Sequence, residues 1–177
     1  MAILAKAGAT FTPCPGGSHV AVCIDVVDLG LIASNFGGVS KSQHKIKVVW
    51  QVDEMREDGT PFHASKRYTL SLHEKSSLRK DLESWRGRAF TEDELFGWDV
   101  ENVLGASAMI SVVQEAKNGS VYSNVNAVMR PPRGVVGPKL DEKYIRVKDR
   151  KPEAASGNHA EQPDSDGGSY TDDDIPF

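Results

Sequence analysis

Apolar and polar residues alternate in several short segments of this chain, and that period of two is typical of half-buried β-strands. The first segment places Val20, Val22, Ile24 and Val26 on one face. In the second, Ile46, Val48, Trp50 and Val52 share one face, and Lys45, Lys47, Val49 and Gln51 share the other. The pattern therefore predicts two strands, of which the second has a basic outer face.

Turn signals separate the remaining predicted strands. Asp58-Gly59 predicts a turn, after which Tyr68, Leu70 and Leu72 alternate as the third strand of the sheet. The fourth and fifth strands, 108–113 and 121–128, meet at Asn118-Gly119, a pair that favours a type I′ hairpin. The glycine- and serine-rich segment from Gly30 to Ser42 is predicted to be an irregular binding loop.

A helical segment interrupts the strands. Leu78, Leu82 and Trp85 recur at helical spacing before Gly87, and the Thr91–Glu94 capping box predicts a second short helix reaching Leu104. Three strands, a helical insertion and two strands are the order of an OB fold, although other small β-barrels share it. We therefore predict a mainly β domain over residues 1–150: a five-stranded OB-fold-like barrel with a helical insertion between strands three and four.

Charge divides the chain into two unlike parts. Residues 153–177 hold seven acids and no Lys or Arg, so the first 152 residues hold 18 acids against 21 bases. The body is thus mildly basic despite a net charge of −4, and phosphate binding depends on the local field rather than on this sum. Residues 151–171, rich in Pro, Gly, Ser and acids, are predicted to be a disordered linker before a tip at 172–177.

Several classes of protein are not indicated. No basic leader or sustained apolar run is present, which favours a cytoplasmic protein without a membrane span. Cys14 and Cys23 lack metal-ligand spacing, and the histidines are scattered. We therefore expect no metal, no cofactor and no catalytic site.

Binding of single strands without sequence preference requires cations for phosphates and aromatic faces for bases. The candidate cations lie on or beside strands two and three or follow strand five: Lys41, Lys45, Lys47, Lys66, Arg67, Arg130 and Arg133. The candidate stacking residues are Tyr122, on the polar side of strand five, and Phe36 and Phe62, beside Gly or Pro. The alternative for each is an ordinary surface position. Trp50, Trp85 and Trp98 are expected in the core.

The most specific motif is the final hexapeptide, Asp172, Asp173, Asp174, Ile175, Pro176 and Phe177. Together with the linker before it, this tip resembles that of the bacterial single-stranded DNA-binding proteins. The body lacks their usual first-strand sequence and tryptophan spacing, and it is more similar to divergent members of the family from phages and mobile elements. Self-association like that of the bacterial proteins is left open.

The resemblance implies sequence-independent binding and protection of single-stranded DNA in replication, recombination or repair. It also implies that the tip recruits replication and repair proteins such as exonucleases, helicases and polymerase subunits. Two alternatives remain open: a protein adaptor whose tip imitates the host recruitment signal, and a single-stranded RNA binder.

Overall fold

The computed structural model describes residues 12–150, apart from the side chain of Phe36, and the predicted linker and tip lie outside this range. The strands are β1 (Gly17–Phe36), β2 (Val39–Met55), β3 (Pro61–Thr69), β4 (Ser107–Lys117) and β5 (Ser120–Met129). Helices α1 (Ser77–Arg86) and α2 (Glu92–Phe96) and a 3₁₀ turn (Val100–Val103) lie between β3 and β4; a second 3₁₀ turn spans Val147–Asp149. The protein is therefore mainly β.

The five strands form one antiparallel sheet in the order β3-β2-β1-β4-β5. No ladder joins the edge strands β3 and β5 within residues 12–150, so the sheet is not a closed barrel. The two edges nevertheless approach each other, since Lys66 Nζ on β3 lies 3.4 Å from the carbonyl oxygen of Asn126 on β5. Helix α1 packs beside this gap, where its Ser84 carbonyl accepts a hydrogen bond from the Arg130 amide at 3.2 Å.

The prediction of a loop from Gly30 to Ser42 was wrong, because this segment is the end of a long β1–β2 hairpin. Strand pairing continues from Gly30 opposite Lys45 to Phe36 opposite Val39. Gly37 and Gly38 have φ of 57° and 81°, as a tight hairpin turn requires, and Gly30 has φ of 69° beside a shift in register. The glycines therefore mark a turn and a β-bulge within regular structure.

The main core lies between one face of the sheet, here called the inner face, and helix α1. Trp50 is fully buried there, as predicted, with Leu78, Leu82 and Trp85 of α1. The predicted alternation in β1 is confirmed for Val22 and Ile24, which are buried with Val49 on the opposite, outer face. It was wrong for Val26, which packs against the inner core because the register shifts between Cys23 and Asp25. Before that shift, the buried inner residues are Ala21 and Cys23. Both faces of this part of the sheet are therefore covered.

The third strand also begins earlier than predicted. Phe62 lies inside β3 and is only 6% exposed, whereas Leu70 and Leu72 lie beyond the strand's end. The alternation of apolar and polar residues continues past the end of β3 because Leu72, although outside the strand, packs against the core. The β4–β5 turn matches its prediction, since Asn118 and Gly119 have φ of 52° and 78°.

Residues 131–150, here called the C-terminal strap, cover part of the outer face. The buried side-chain amide of Gln51 donates to the Lys139 carbonyl at 2.8 Å and accepts from the Asp141 amide at 2.9 Å. At Gly137 the strap runs so close to β1 that an added Cβ would lie 2.6 Å from the Ala21 carbonyl oxygen. Only glycine fits this approach without a shift of the backbone.

A buried carboxylate fixes the end of the strap. Asp25 of β1 is 1% exposed, and its Oδ1 accepts from Arg146 Nε at 3.0 Å. Its Oδ2 accepts from the Tyr144 hydroxyl at 3.0 Å and from the Val147 amide at 2.8 Å. Because a buried charge is costly unless it is paired and hydrogen-bonded, these donors make the strap a requirement for burying Asp25.

Candidate nucleic-acid interface

The outer face of strands β1, β2 and β3 divides into two halves. In the covered half, Val22, Ile24 and Val49 pack together beneath Tyr144 of the strap. Tyr144 also meets the His63 ring edge-on, with centroids 5.4 Å apart. The open half lies along the same strands toward the β1–β2 turn, and it is defined by these strand positions: Gly30, Ile32, Ser34, Lys41, Gln43, Lys45, Lys47, Arg67 and Thr69.

Strand register gathers four of the predicted cations on the open half. Lys41, Lys45 and Lys47 are separated by even intervals in an unbroken stretch of β2, so they share a face. Arg67 of β3 lies directly opposite Lys47, and directly opposed residues have their side chains on the same side of a sheet. Lys45 Nζ donates to the Thr69 hydroxyl at 2.8 Å. The result is a basic row that crosses two strands.

No carboxylate belongs to the open half. Asp28 of β1 is opposite Ile46, whose side chain is in the inner core, so Asp28 lies on the other face. The acids of the β2–β3 hairpin are confined to its turn end: Asp53, Glu54, Glu57 and Asp58. This hairpin is therefore basic at the end that bears the open half and acidic at the other.

Lys66 does not belong to this row. It is opposite Val48, a core residue, and therefore lies on the inner face at the β3 edge. Its Nζ donates to Asp81 Oδ2 of helix α1 at 2.7 Å, and both side chains are largely buried. The same carboxylate oxygen accepts from the Tyr68 hydroxyl at 2.7 Å. The expectation that Lys66 lies beside Lys45 and Lys47 was therefore wrong.

Arg130 and Arg133 also lie apart from the row, in the segment that leaves β5. Both are exposed. Arg130 lines a cleft beside α1 together with Trp85 and Trp98. The structure thus divides the predicted cations among the open half, the β3 edge and the region of this cleft.

The predicted stacking residues are not gathered with the lysines. Phe62 is buried and has the Arg56 guanidinium 5.1 Å from its ring centroid, so the expectation that this ring is exposed was wrong. Tyr122 is half-buried on β5, three strands from β2 in the sheet order, and lies opposite Glu115. The backbone of Phe36 ends β1 at the hairpin turn. Among the described side chains, the open half therefore holds cations without an aromatic ring.

Sequence reasoning missed two features of this region. The hydrogen bonds that Asp25 accepts from Tyr144, Arg146 and Val147, here called the Asp25 clamp, join residues more than a hundred positions apart, and no local pattern in the sequence reveals them. Trp98 was assigned to the core, but it is only partly buried and lines the cleft.

Within residues 12–150, no group of His, Cys, Asp or Glu side chains could hold a metal ion. None of the helices in that range is long and apolar enough to cross a membrane. No protein-family model matches the chain, and no curated protein matches it in sequence. The geometry and charge of the site and the resemblance of the tip therefore support the function proposed below.

Proposed function

We propose that this protein binds single-stranded DNA without sequence preference and that the open half of the outer face holds the phosphates. The observation that carries the proposal is the row of Lys41, Lys45, Lys47 and Arg67 on a surface without a carboxylate. A phosphate backbone presents charge at regular intervals, and a row of cations on a rigid sheet matches it without reading the bases.

The proposal extends to the fold. A sheet ordered β3-β2-β1-β4-β5 whose edge strands approach each other has the strand neighbours of an OB barrel that is left open between β3 and β5. In OB folds, the face of strands two and three binds oligonucleotides, and the open half lies on those strands. The helices before β4 occupy the position expected of the helical insertion.

The predicted tip, from Asp172 to Phe177, would recruit replication and repair proteins to the coated strand. It lies outside the described residues, and the support for it is its resemblance to the bacterial tips. Replacing Phe177 with Ala should abolish capture of those proteins in pull-downs while leaving oligonucleotide affinity unchanged, because the ring is the apolar anchor of the motif. Equal capture by the wild-type protein and the Phe177→Ala variant would contradict this role.

The main test is a titration of the full chain with fluorescently labelled oligothymidylate, a duplex of equal length and an RNA oligomer of matched sequence. Single-stranded DNA should bind most tightly, because duplex bases are not free to stack. Equal affinity for duplex and single strand at moderate salt would contradict the proposal. A preference for RNA would favour the RNA-binding alternative, and absence of binding to all three would favour the adaptor.

A further inference from the structure

A cleft of about 280 Å³ lies where helix α1, the Val100–Val103 turn, β4 and the start of the strap meet. Its apolar walls include the indoles of Trp85 and Trp98, with Val103 and Pro131. Trp85 is 7% exposed and donates its Nε1 hydrogen to the Ser107 carbonyl at 2.7 Å, so it is a fixed wall. Trp98 is only partly buried and presents an aromatic surface to the opening.

Two arginines, Arg86 and Arg130, line the cleft, and no carboxylate of the described residues does. Arg86 lies over Phe90 and Trp98, 4.3 and 5.4 Å from their ring centroids, and pairs with Glu94 at 2.6 Å. The Thr91 amide and Arg86 lower the pKa of Glu94 to about 2, so this ion pair beside the cleft is complete at neutral pH.

One cation at the cleft is exposed and available to a ligand. Arg130 has no ion-pair partner within residues 12–150, and its Nη1 lies 3.2 Å from the Cβ position of Gly87. Its guanidinium is therefore placed to meet an anionic group of a bound molecule.

We propose that this cleft is a nucleobase pocket, in which one unstacked base of a single strand packs against Trp98 while its phosphate meets Arg130. The inference rests on the proposed function and adds the aromatic contact that the open half lacks among its described side chains. Every base has a π-face that can pack against the indole. Pockets of this kind bind a flipped-out base between aromatic and apolar side chains.

The test compares oligothymidylate with an abasic strand that has the same number of phosphates, using the full chain. Trp98→Leu removes the aromatic surface, and Ala106→Met fills the cleft while retaining Trp98 and the backbone bonds of residue 106. Each should weaken oligothymidylate binding roughly fivefold or more and leave abasic-strand binding unchanged, because only stacking is lost. Phe96→Leu is the matched control, since Phe96 is in the same insertion and 93% exposed but does not line the cleft.

The phosphate contact is tested separately. Arg130→Ala should weaken binding of both strands and lower the salt dependence by about one contact, whereas Arg88→Ala, which removes an exposed charge nearby, should not. Urea unfolding of each variant shows whether the fold is retained.

The outcomes separate the two proposals. Full oligothymidylate affinity in both Trp98→Leu and Ala106→Met would overturn the pocket while leaving the DNA-binding function in place, and it is also the result expected if a peptide occupies the cleft. A loss in Phe96→Leu equal to that in Trp98→Leu would likewise overturn it. If the wild-type chain binds neither strand, the proposed function fails and the pocket fails with it.

Discussion

The two halves of the outer face lie on the same three strands, but the charged side chain of one half is a buried carboxylate and those of the other half are cations. In the covered half, the one buried carboxylate, Asp25, is surrounded by donors from the strap, and the apolar side chains around it are hidden from water. In the open half, four cations share a surface to which no carboxylate belongs among residues 12–150. The covered half stabilises the fold, whereas the open half concentrates positive charge.

The strap belongs to the folded domain because it brings both hydrogen-bonding and apolar groups to β1 and β2. Its contacts with Asp25 lie in the covered half, whereas Lys45 and Lys47 lie at the other end of the same strands. Substitutions in the covered half should consequently change stability and not oligonucleotide binding, and substitutions in the open half should change binding and not stability.

The largest effect is expected from Asp25→Ala. Removing the carboxylate leaves Arg146 without its buried partner and the Val147 amide without its acceptor, and breaking such a pair costs about 3 kcal/mol or more. The free energy of unfolding from urea titration measures this loss. Asp53→Ala, on an exposed position of β2, is the control and should change stability by about 0.5 kcal/mol at most. A similar value for both variants would show that the strap is not fixed at Asp25.

An intermediate effect is expected from Lys66→Ala, which tests whether Lys66 is separate from the basic row. Losing its contact with Asp81 should lower stability by about 1 kcal/mol, because both groups are largely buried. The salt dependence of oligonucleotide binding should stay at the wild-type value. If the salt dependence falls by the amount expected for one phosphate contact, Lys66 binds phosphate in addition to its contact with Asp81.

The smallest effect is a pH dependence within the covered half. Burial, and then the charge of Asp25, raise the pKa of Tyr144 from 10 to about 12. Because the folded-state pKa is the higher one, this contribution to stability is complete below pH 10 and is lost as the pH rises toward 12. Urea midpoints at pH 9 and pH 11 should therefore differ less for Tyr144→Phe than for the wild type. An equal change in urea midpoint for Tyr144→Phe and the wild type would mean that ionisation of the Tyr144 hydroxyl does not affect the contacts around Asp25.

Local sequence patterns predicted much of the sheet but not the strap that covers part of its outer face. Alternation located the inner face of β2, and Asn118-Gly119 located the β4–β5 turn, because both depend on neighbouring residues only. The same reasoning misread Gly30 and Gly37-Gly38 as a loop, since a bulge and a tight turn need glycine as much as a loop does. The strap was missed because Asp25 and Gln51 find their partners far along the chain.

The candidate site was predicted in part for the same reason. Alternation predicted that Lys45, Lys47 and Arg67 lie on the polar side of strands two and three, and the pairing of β2 with β3 puts them on one face. Lys41 was assigned to the predicted loop and joins them because β2 already begins at Val39. The outcome for Phe62 depended on where β3 begins, and that for Lys66 depended on which face of β3 meets α1. Such choices are decided by packing between distant elements, which periodicity does not encode.

The salt dependence of binding shows whether the open half holds the phosphates of a single strand. The full chain, the variant Lys45→Ala/Lys47→Ala and the control Lys139→Ala/Lys143→Ala, which removes two exposed strap lysines, are titrated with oligothymidylate over a range of salt. The slope of log K against log salt should become shallower by about 1.4 in the Lys45/Lys47 variant only, as expected for two lost phosphate contacts. An unchanged slope in that variant, or an equal change in the control, would show that the open half does not hold the phosphates.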